Sequence, residues 1–401
     1  MIIVDLIWQS AILWLPLGLG ILAYHLWYDY KQAEYNKKTP WVMFEIKLPK
    51  IIDKYPSSME VVLGIFEQKY AGNWWSQFWQ GLVRGWFSLE LVSLGGDVRF
   101  YIRAPKFFKK LIEGQIYSQY PEVEVREVED YTNKVRYGEP GSDLALWGQE
   151  IVLSKEDAYP IKTYVDYHLT EADSLKEEFK VDPMTPLLEL LGSIGPHEQI
   201  WIQILIQATK DRFKDPKKWF GKRGWKDEGK DLIRKLMKRD EKPKEGESLK
   251  IEVLSPGERE TVTAIERNIA KIGFDTGIRM IYLAPKDKFN VYNTVGLLSS
   301  WKQFGSANLN GFKPGSGGKQ KTGVDFPWQD FRGIRVERRK RRIFDAYLRR
   351  AYFYKPHLRT PFVLSTEELA TIYHFPGAVA RTPTLEKIES KKGESPTNLP
   401  I

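Results

Sequence analysis

The spacing of apolar and polar positions divides the chain into short elements of two periods. Val42 to Leu48 has strand composition and is stopped by Pro49. Ser57 or Ser58 can cap a helix through Tyr70, with Met59, Val62, Leu63 and Phe66 on one face. Phe87 to Leu94 and Val98 to Arg103 read as a hairpin turned by Gly95-Gly96. Pro105 opens a helix to Tyr120, Pro121 stops it, and Val123 to Val128 is another strand. The order β-α-β-β-α-β predicts a ferredoxin-like unit over 39–150, aromatic segment included.

A second, looser α/β unit is expected over 151–304. Ile161 to His168 reads as a strand and Pro186 to Ile194 as a short helix. Gln199 to Gln207 alternates Ile200, Ile202, Ile204 and Ile206 with Trp201, Gln203, Leu205 and Gln207, the period of a strand. A basic insertion reaches Arg239, and Lys242 to Ser248 reads as a loop. Pro256 and Gly257 precede a helix to Ile272, Gly277 to Leu283 is a strand, and Phe289 to Phe304 returns as a helix. A Gly/Ser-rich linker (305–327) leads to a basic helix and a Pro-punctuated tail (328–401). The expected fold is α+β: an N-terminal transmembrane helix, two ferredoxin-like α/β sandwich units and a basic helical C-terminal tail.

The transmembrane expectation rests on Leu6 to Trp27, which carries no acidic or basic side chain. Its 22 residues as a helix would span about 33 Å, against about 30 Å of hydrocarbon. Trp8, Trp14 and Trp27 suit the bilayer interface. A cleaved signal peptide fits poorly: Asp5 stands where basic residues belong, and the exit reads Tyr-His-Leu-Trp-Tyr. Lys31, Lys37 and Lys38 follow the segment, which places the bulk of a single-pass protein of segment 1–38 and beyond in the cytoplasm. Trp74, Trp75, Phe78, Trp79, Leu82, Val83, Trp86 and Phe87 share one face of a helix. That face suits a membrane surface, with Trp74, Trp75 and Trp79 in the lipid; a core helix or a contact between copies of the chain is the alternative.

Composition narrows the chemistry. The 401 residues contain no cysteine, which excludes disulfides, thiol nucleophiles and thiolate zinc sites. Five histidines lack the spacing of a metal-binding helix. Gly315-Ser-Gly-Gly-Lys-Gln-Lys-Thr322 superficially suggests a phosphate loop, but Lys313 and Gln320 occupy the positions that need Gly and Ser or Thr. No catalytic, cofactor or metal residue is assigned, and the expectation is a protein that is not an enzyme.

Net charge is +9, concentrated in two blocks. From Arg332 to Arg359 there are 11 Lys and Arg against two acids; from Lys210 to Arg239 there are 13 against five. Arg335, Arg338, Arg339, Lys340, Arg341, Arg342, Arg349 and Arg350 are the candidate polyanion-binding residues. Interleaved with Phe344, Tyr347, Tyr352, Phe353 and Tyr354, they could track a phosphate backbone and stack bases. DNA, anionic lipid and an acidic protein face all offer the required charge.

Leu364-Ser-Thr-Glu-Glu-Leu-Ala-Thr-Ile-Tyr-His-Phe-Pro-Gly377 is followed by Arg381-Thr-Pro-Thr-Leu385 and Ser395-Pro-Thr-Asn-Leu-Pro400. This resembles the segment upstream of the motor domain in conjugative, type IV secretion-like DNA-transfer ATPases of the HerA/FtsK superfamily. Phe87 to Arg103 and Gln115-Ile-Tyr-Ser-Gln-Tyr-Pro121 are similar to the N-terminal region of the same uncharacterised family. No Walker motif is present to carry over. The resemblance therefore implies a non-enzymatic, membrane-anchored subunit of a DNA-translocation machine that docks a separate hexameric ATPase. Glu367, Glu368, His374, Phe375, Pro376 and Pro383 are the implied docking residues. The alternative is a membrane-bound nucleic-acid-binding protein without a motor partner.

Overall fold

The alternation at Gln199–Ala208 sorts its side chains to the two faces of one large sheet. The structure, a computed structural model, describes residues 2–49, 52, 54–139, 141–170, 180–211, 213–214, 222–237 and 254–377. Its main strands are β1 (Trp41–Lys47), β2 (Trp86–Leu94), β3 (Asp97–Pro105), β4 (Glu124–Val128), β5 (Leu144–Leu153) and β6 (Gln199–Ala208). A small separate ribbon pairs β7 (Phe213–Lys214) with β8 (Lys222–Arg223). β9 (Gly273–Pro285), β10 (Phe312–Pro314) and β11 (Phe362–Ser365) complete the set. The nine sheet strands run β10-β5-β9-β6-β2-β3-β1-β4, with β11 beside β9, and every pairing is antiparallel.

This corrects the expectation of two separate sandwich units. β2 and β6 pair from Trp86↔Gln207 to Leu94↔Gln199, which fuses the halves into one sheet. Within the halves the orders are β4-β1-β3-β2 and β10-β5-β9-β6, the same permutation of chain order. In separate units β2 and β6 would each be an apolar edge with unpaired amides, and joining them removes both edges.

One face carries the larger core. Phe87, Leu89, Leu91, Ile200, Ile202, Ile204, Met280 and Tyr282 pack under α2 (Pro56–Gly64), α3 (Lys109–Gln119) and α4 (Thr185–Gly192). α7 (Val291–Ser299) and α9 (Thr366–Ile372) join them. α5 (Trp225–Leu236) and α6 (Pro256–Ala270) pair with each other, Gly229 lying against Ile265 and Ile269. The opposite face carries Ser88, Glu90, Gln203, Gln207, Glu150 and Arg279, all buried. It is covered by α8 (Ile334–Leu348) and the irregular chain that follows.

Some sequence expectations change character here. Residues 161–168 form turns, held by Asp166 N to Thr163 O and Tyr167 N to Tyr164 O, not a strand. The aromatic run does not form one helix: Ser76–Gln80 is a π-turn, Gly81 is left-handed (φ 70°), and Trp86 and Phe87 enter β2. The 305–327 segment is pinned to β5, with Gly315 N bonded to Glu150 O at 2.8 Å and Glu150 N to Gln320 O at 2.6 Å. The loop at 242–248 and residues 212, 215–221, 238 and 239 of the 210–239 block lie outside the described residues.

The transmembrane assignment is overturned. Among the described residues no helix is long and apolar enough to cross a membrane. The first helix, α1 (Ile2–Lys38), is long, but its aliphatic run gives way to Tyr24, His25, Trp27 and Tyr28 and then to Asp29, Lys31, Glu34, Lys37 and Lys38. Those polar and charged groups dilute the apolar character a spanning helix needs. Trp14, Leu17, Leu19 and Leu26 are exposed, while Trp8 lies outside the described side chains.

Near its C-terminal end α1 meets the π-turn. Tyr24 stacks on Phe78 at 5.2 Å, Trp27 meets Trp79 edge-on at 5.9 Å, and Trp27 Nε1 donates to Phe78 O at 3.0 Å. Trp74, Trp75 and Trp79 remain largely exposed around this junction. Gly81 is required there, since a Cβ would sit 2.0 Å from Lys31 O.

Gly277 marks the closest approach on the opposite face. A Cβ on it would meet three ring atoms of Tyr352 at 2.3 to 2.5 Å. Gly277→Ala is expected to push the ring away and destabilise the fold by about 1–3 kcal/mol, read as a lowered urea midpoint. An unchanged midpoint would show that the covering segment does not rest on β9.

Candidate nucleic-acid interface

α8 presents two chemically opposed faces. Ile343, Phe344, Ala346 and Tyr347 are buried against the sheet, Phe344 stacking on Trp201 at 6.2 Å and Tyr347 meeting it at 5.3 Å. Thus two aromatics expected to interleave with the cations for base stacking are core groups, and Tyr352 is likewise buried. The helix start is fixed by Asp330, which accepts from Arg335 N at 2.6 Å and Val336 N at 3.3 Å.

The eight candidate cations divide by environment. Arg339 donates to Gly323 O and Arg342 to Gly318 O, so both hold the pinned loop. Arg341 pairs with Glu337 at 3.0 Å and Arg349 with Asp345 at 2.8 Å, each within the helix or at its end. Arg335 and Arg338 are exposed with no acidic partner among the described residues, while Lys340 is half-buried and its charge acts on Glu337. From Arg335 to Arg349 the cationic face extends about 21 Å along the axis.

Arg350 is a correction. It is fully buried in an internal ion pair and offers nothing to a ligand. Its left-handed backbone (φ 50°) just beyond the helix turns the side chain towards the sheet. There its Nε and Nη2 donate to Glu90 at 3.0 and 3.1 Å, and Nη1 and Nη2 donate to Asp130. Glu90 also accepts from Ser88 Oγ, the Tyr131 hydroxyl and Gln203 Nε2. Gln203 Oε1 accepts from Arg279, which pairs with Glu150 at 3.0 Å, and Glu150 accepts from Arg359 at 3.1 Å. A continuous polar chain therefore crosses β2, β6, β9 and β5 beneath the covering segment. Burial alone would raise the Glu90 and Asp130 carboxyls, but the Arg350 guanidinium outweighs it and holds both below their ordinary values.

The sequence reading missed a group beside α8. Two short turns, Pro327–Gln329 and Phe331–Gly333, with Arg332 (φ 55°) and Gly333 (φ 76°) left-handed, precede the helix. Trp328 is 78% and Phe331 73% exposed, and Phe326 and Ile334 are exposed beside them. Phe326 and Trp328 stack at 4.6 Å with 11° between their planes, and the Arg332 guanidinium lies 5.0 Å from the Phe331 ring centre. The Phe-Pro-Trp-Gln-Asp-Phe-Arg-Gly spelling was the available signal, hidden because the segment reads as the end of a linker.

The implied docking residues do not form a surface. Glu367, Glu368, His374, Phe375 and Pro376 are buried, and Pro383 lies outside the described residues. Ser365 and Glu368 make a reciprocal cap on α9, and Glu367 pairs with Arg267 at 3.0 Å. Burial pushes the Glu368 carboxyl up to about 8, against the opposing effect of the Ser365 and Ile161 amides. Both His374 ring nitrogens face acceptors, Ala370 O at 2.8 Å and Asp182 at 3.2 Å. In the second basic block, Arg223 and Arg234 pair with Asp231 and Lys230 pairs with Asp227. Among the described residues no cluster of three or more His, Asp or Glu could hold a metal ion.

The fold and this face together define an antiparallel-sheet protein with a basic helix locked across one side. Residues 83–387 match the model of a domain of unknown function, DUF8128, and the chain belongs to that family. No curated protein matches it. The family match shows no link to a secretion system, a conjugation apparatus or an ATPase.

Removing Arg350 tests the internal ion pair. Arg350→Met leaves the buried Glu90 and the half-buried Asp130 without their cation and is expected to cost about 3–5 kcal/mol in chemical denaturation. Adding Glu90→Gln should recover part of the loss. In the wild type the depressed carboxyls contribute stability above the ordinary carboxylate range, and this is lost as pH falls through their lower folded values. A loss under about 1 kcal/mol, with the acid transition unchanged, would remove Arg350 from its structural role.

Proposed function

We propose that this protein is a non-catalytic scaffold that binds a polyanion, nucleic acid first among them, along the outer face of α8. The observation that carries the reading is the charge imbalance of that helix. Its acids Glu337 and Asp345 are already engaged, while Arg335 and Arg338 have no acidic partner among the described residues. Free surface cations in a row release counterions from a phosphate backbone, which supplies sequence-independent affinity. The α5 region is less suited because Arg223, Lys230 and Arg234 are already paired with Asp227 and Asp231.

Burial of the inner face of α8 adds a second support. A helix held by Phe344 and Tyr347 need not be ordered on binding, so less conformational entropy is lost. No residue of the cationic row is posed to read base edges, and contacts of this kind set register and affinity without sequence choice. The proposal requires neither a motor partner nor an anchor.

Affinity for a DNA oligonucleotide, measured by anisotropy, should fall with salt at roughly 0.7 to 0.9 log units per phosphate neutralised. Changing Arg335 and Arg338 to Gln together should flatten the slope by about one to two units. A salt slope unaffected by the double change would place polyanion binding elsewhere.

A further inference from the structure

The aromatic cluster at the head of α8 has no structural task that accounts for its exposure. Trp328 and Phe331 bury little of their rings, and the helix cap is supplied by Asp330, not by them. Large apolar rings left in water are unfavourable, at about 25 cal/mol per Å² of apolar surface. Two of them, Phe326 and Trp328, stack in parallel, and Phe331 follows with Arg332 on its ring, all at one end of a cationic row.

We propose that Phe326, Trp328 and Phe331, together with Arg332, form a base-stacking platform that makes single-stranded nucleic acid the ligand of the α8 cations. The proposal rests on the polyanion reading and adds the ligand's strandedness. Bases of a single strand expose their π faces, whereas a duplex hides them within its own stack. Stacking on a protein aromatic tolerates every base, in keeping with a site that has no base-edge readers. Arg332 can extend the platform through its planar guanidinium, already placed at the Phe331 ring.

The charge pattern selects this ligand over a lipid surface. The cations continue from the aromatics in a line along one helix, through Arg335 and Arg338 to Arg341, which suits a strand more than a plane of headgroups. Nearby acids are engaged by local partners. Asp330 is occupied by two backbone amides, Asp325 pairs with Lys321, and Glu337 accepts from both Arg341 and Tyr137.

The test uses the full chain with fluorescein-labelled oligothymidine, the matching duplex and an abasic oligonucleotide of equal length. Trp328→Ala and Phe331→Ala should each weaken oligothymidine binding about 5- to 100-fold, since stacking is worth about 1–3 kcal/mol per base. Duplex and abasic affinities should stay within about twofold, Trp328→Phe should restore most of the loss, and the salt slope should not change. Far-UV circular dichroism and the urea midpoint should match wild type, because these side chains are exposed. Equal losses on oligothymidine and abasic strand, or a wild type that prefers duplex, would overturn the stacking platform while leaving the α8 polyanion reading intact. Binding to phosphatidylserine vesicles without binding to oligothymidine would also overturn it and assign the patch to lipid. Absence of binding to any of these polyanions would overturn both readings.

Discussion

The arrangement depends on the buried ion chain in which Arg350 pairs with Glu90 and Asp130 and the line continues through Gln203, Arg279 and Glu150 to Arg359. A sheet face carrying two carboxylates, a guanidinium and a glutamine cannot close under an apolar cover. It needs partners that bring charge with them. The segment after α8 supplies them, so folding the cover onto the sheet and orienting α8 are one event. Buried pairs of this kind are a poor source of net stability but penalise every alternative docking that leaves a charge unpaired. That is how a helix as basic as α8 acquires a fixed inside and a fixed outside.

The two sheet faces divide the work. On one side aliphatic strand residues meet amphipathic helices and form the large core, which needs no specific partner beyond shape. On the other side polar specificity fixes a single covering segment. The cations left over are those the network did not use. Their distribution contrasts with α5, where Asp227 and Asp231 alternate with Lys230 and Arg234 and little net field escapes.

Much of the first half of the sheet was legible because its strands alternate cleanly and are bounded by Pro49, Gly95-Gly96 and Pro121. β5 was missed because Gly148-Gln149-Glu150 interrupts its apolar pattern, and the sequence does not show that Glu150 has two guanidinium partners waiting. The aromatic segment was misread because Trp86 and Phe87 happen to continue a helical spacing through the break at Gly81. At the site, Arg349 and Arg350 are indistinguishable as letters. Only the left-handed turn at Arg350 sends one inward and leaves the other outside. The burial of Glu367 and Glu368, implied as docking residues, was not legible, since their partners Arg267 and Ile161 are distant in sequence.

Photo-crosslinking reads the central claim directly. The full chain would be irradiated with an oligonucleotide carrying 4-thiothymidine, and the modified peptides located by mass spectrometry. Crosslinks are expected within residues 326–342, on Trp328, Phe331 and the outer face of α8. Crosslinks confined to 210–239, with 326–342 unmodified, would contradict the account.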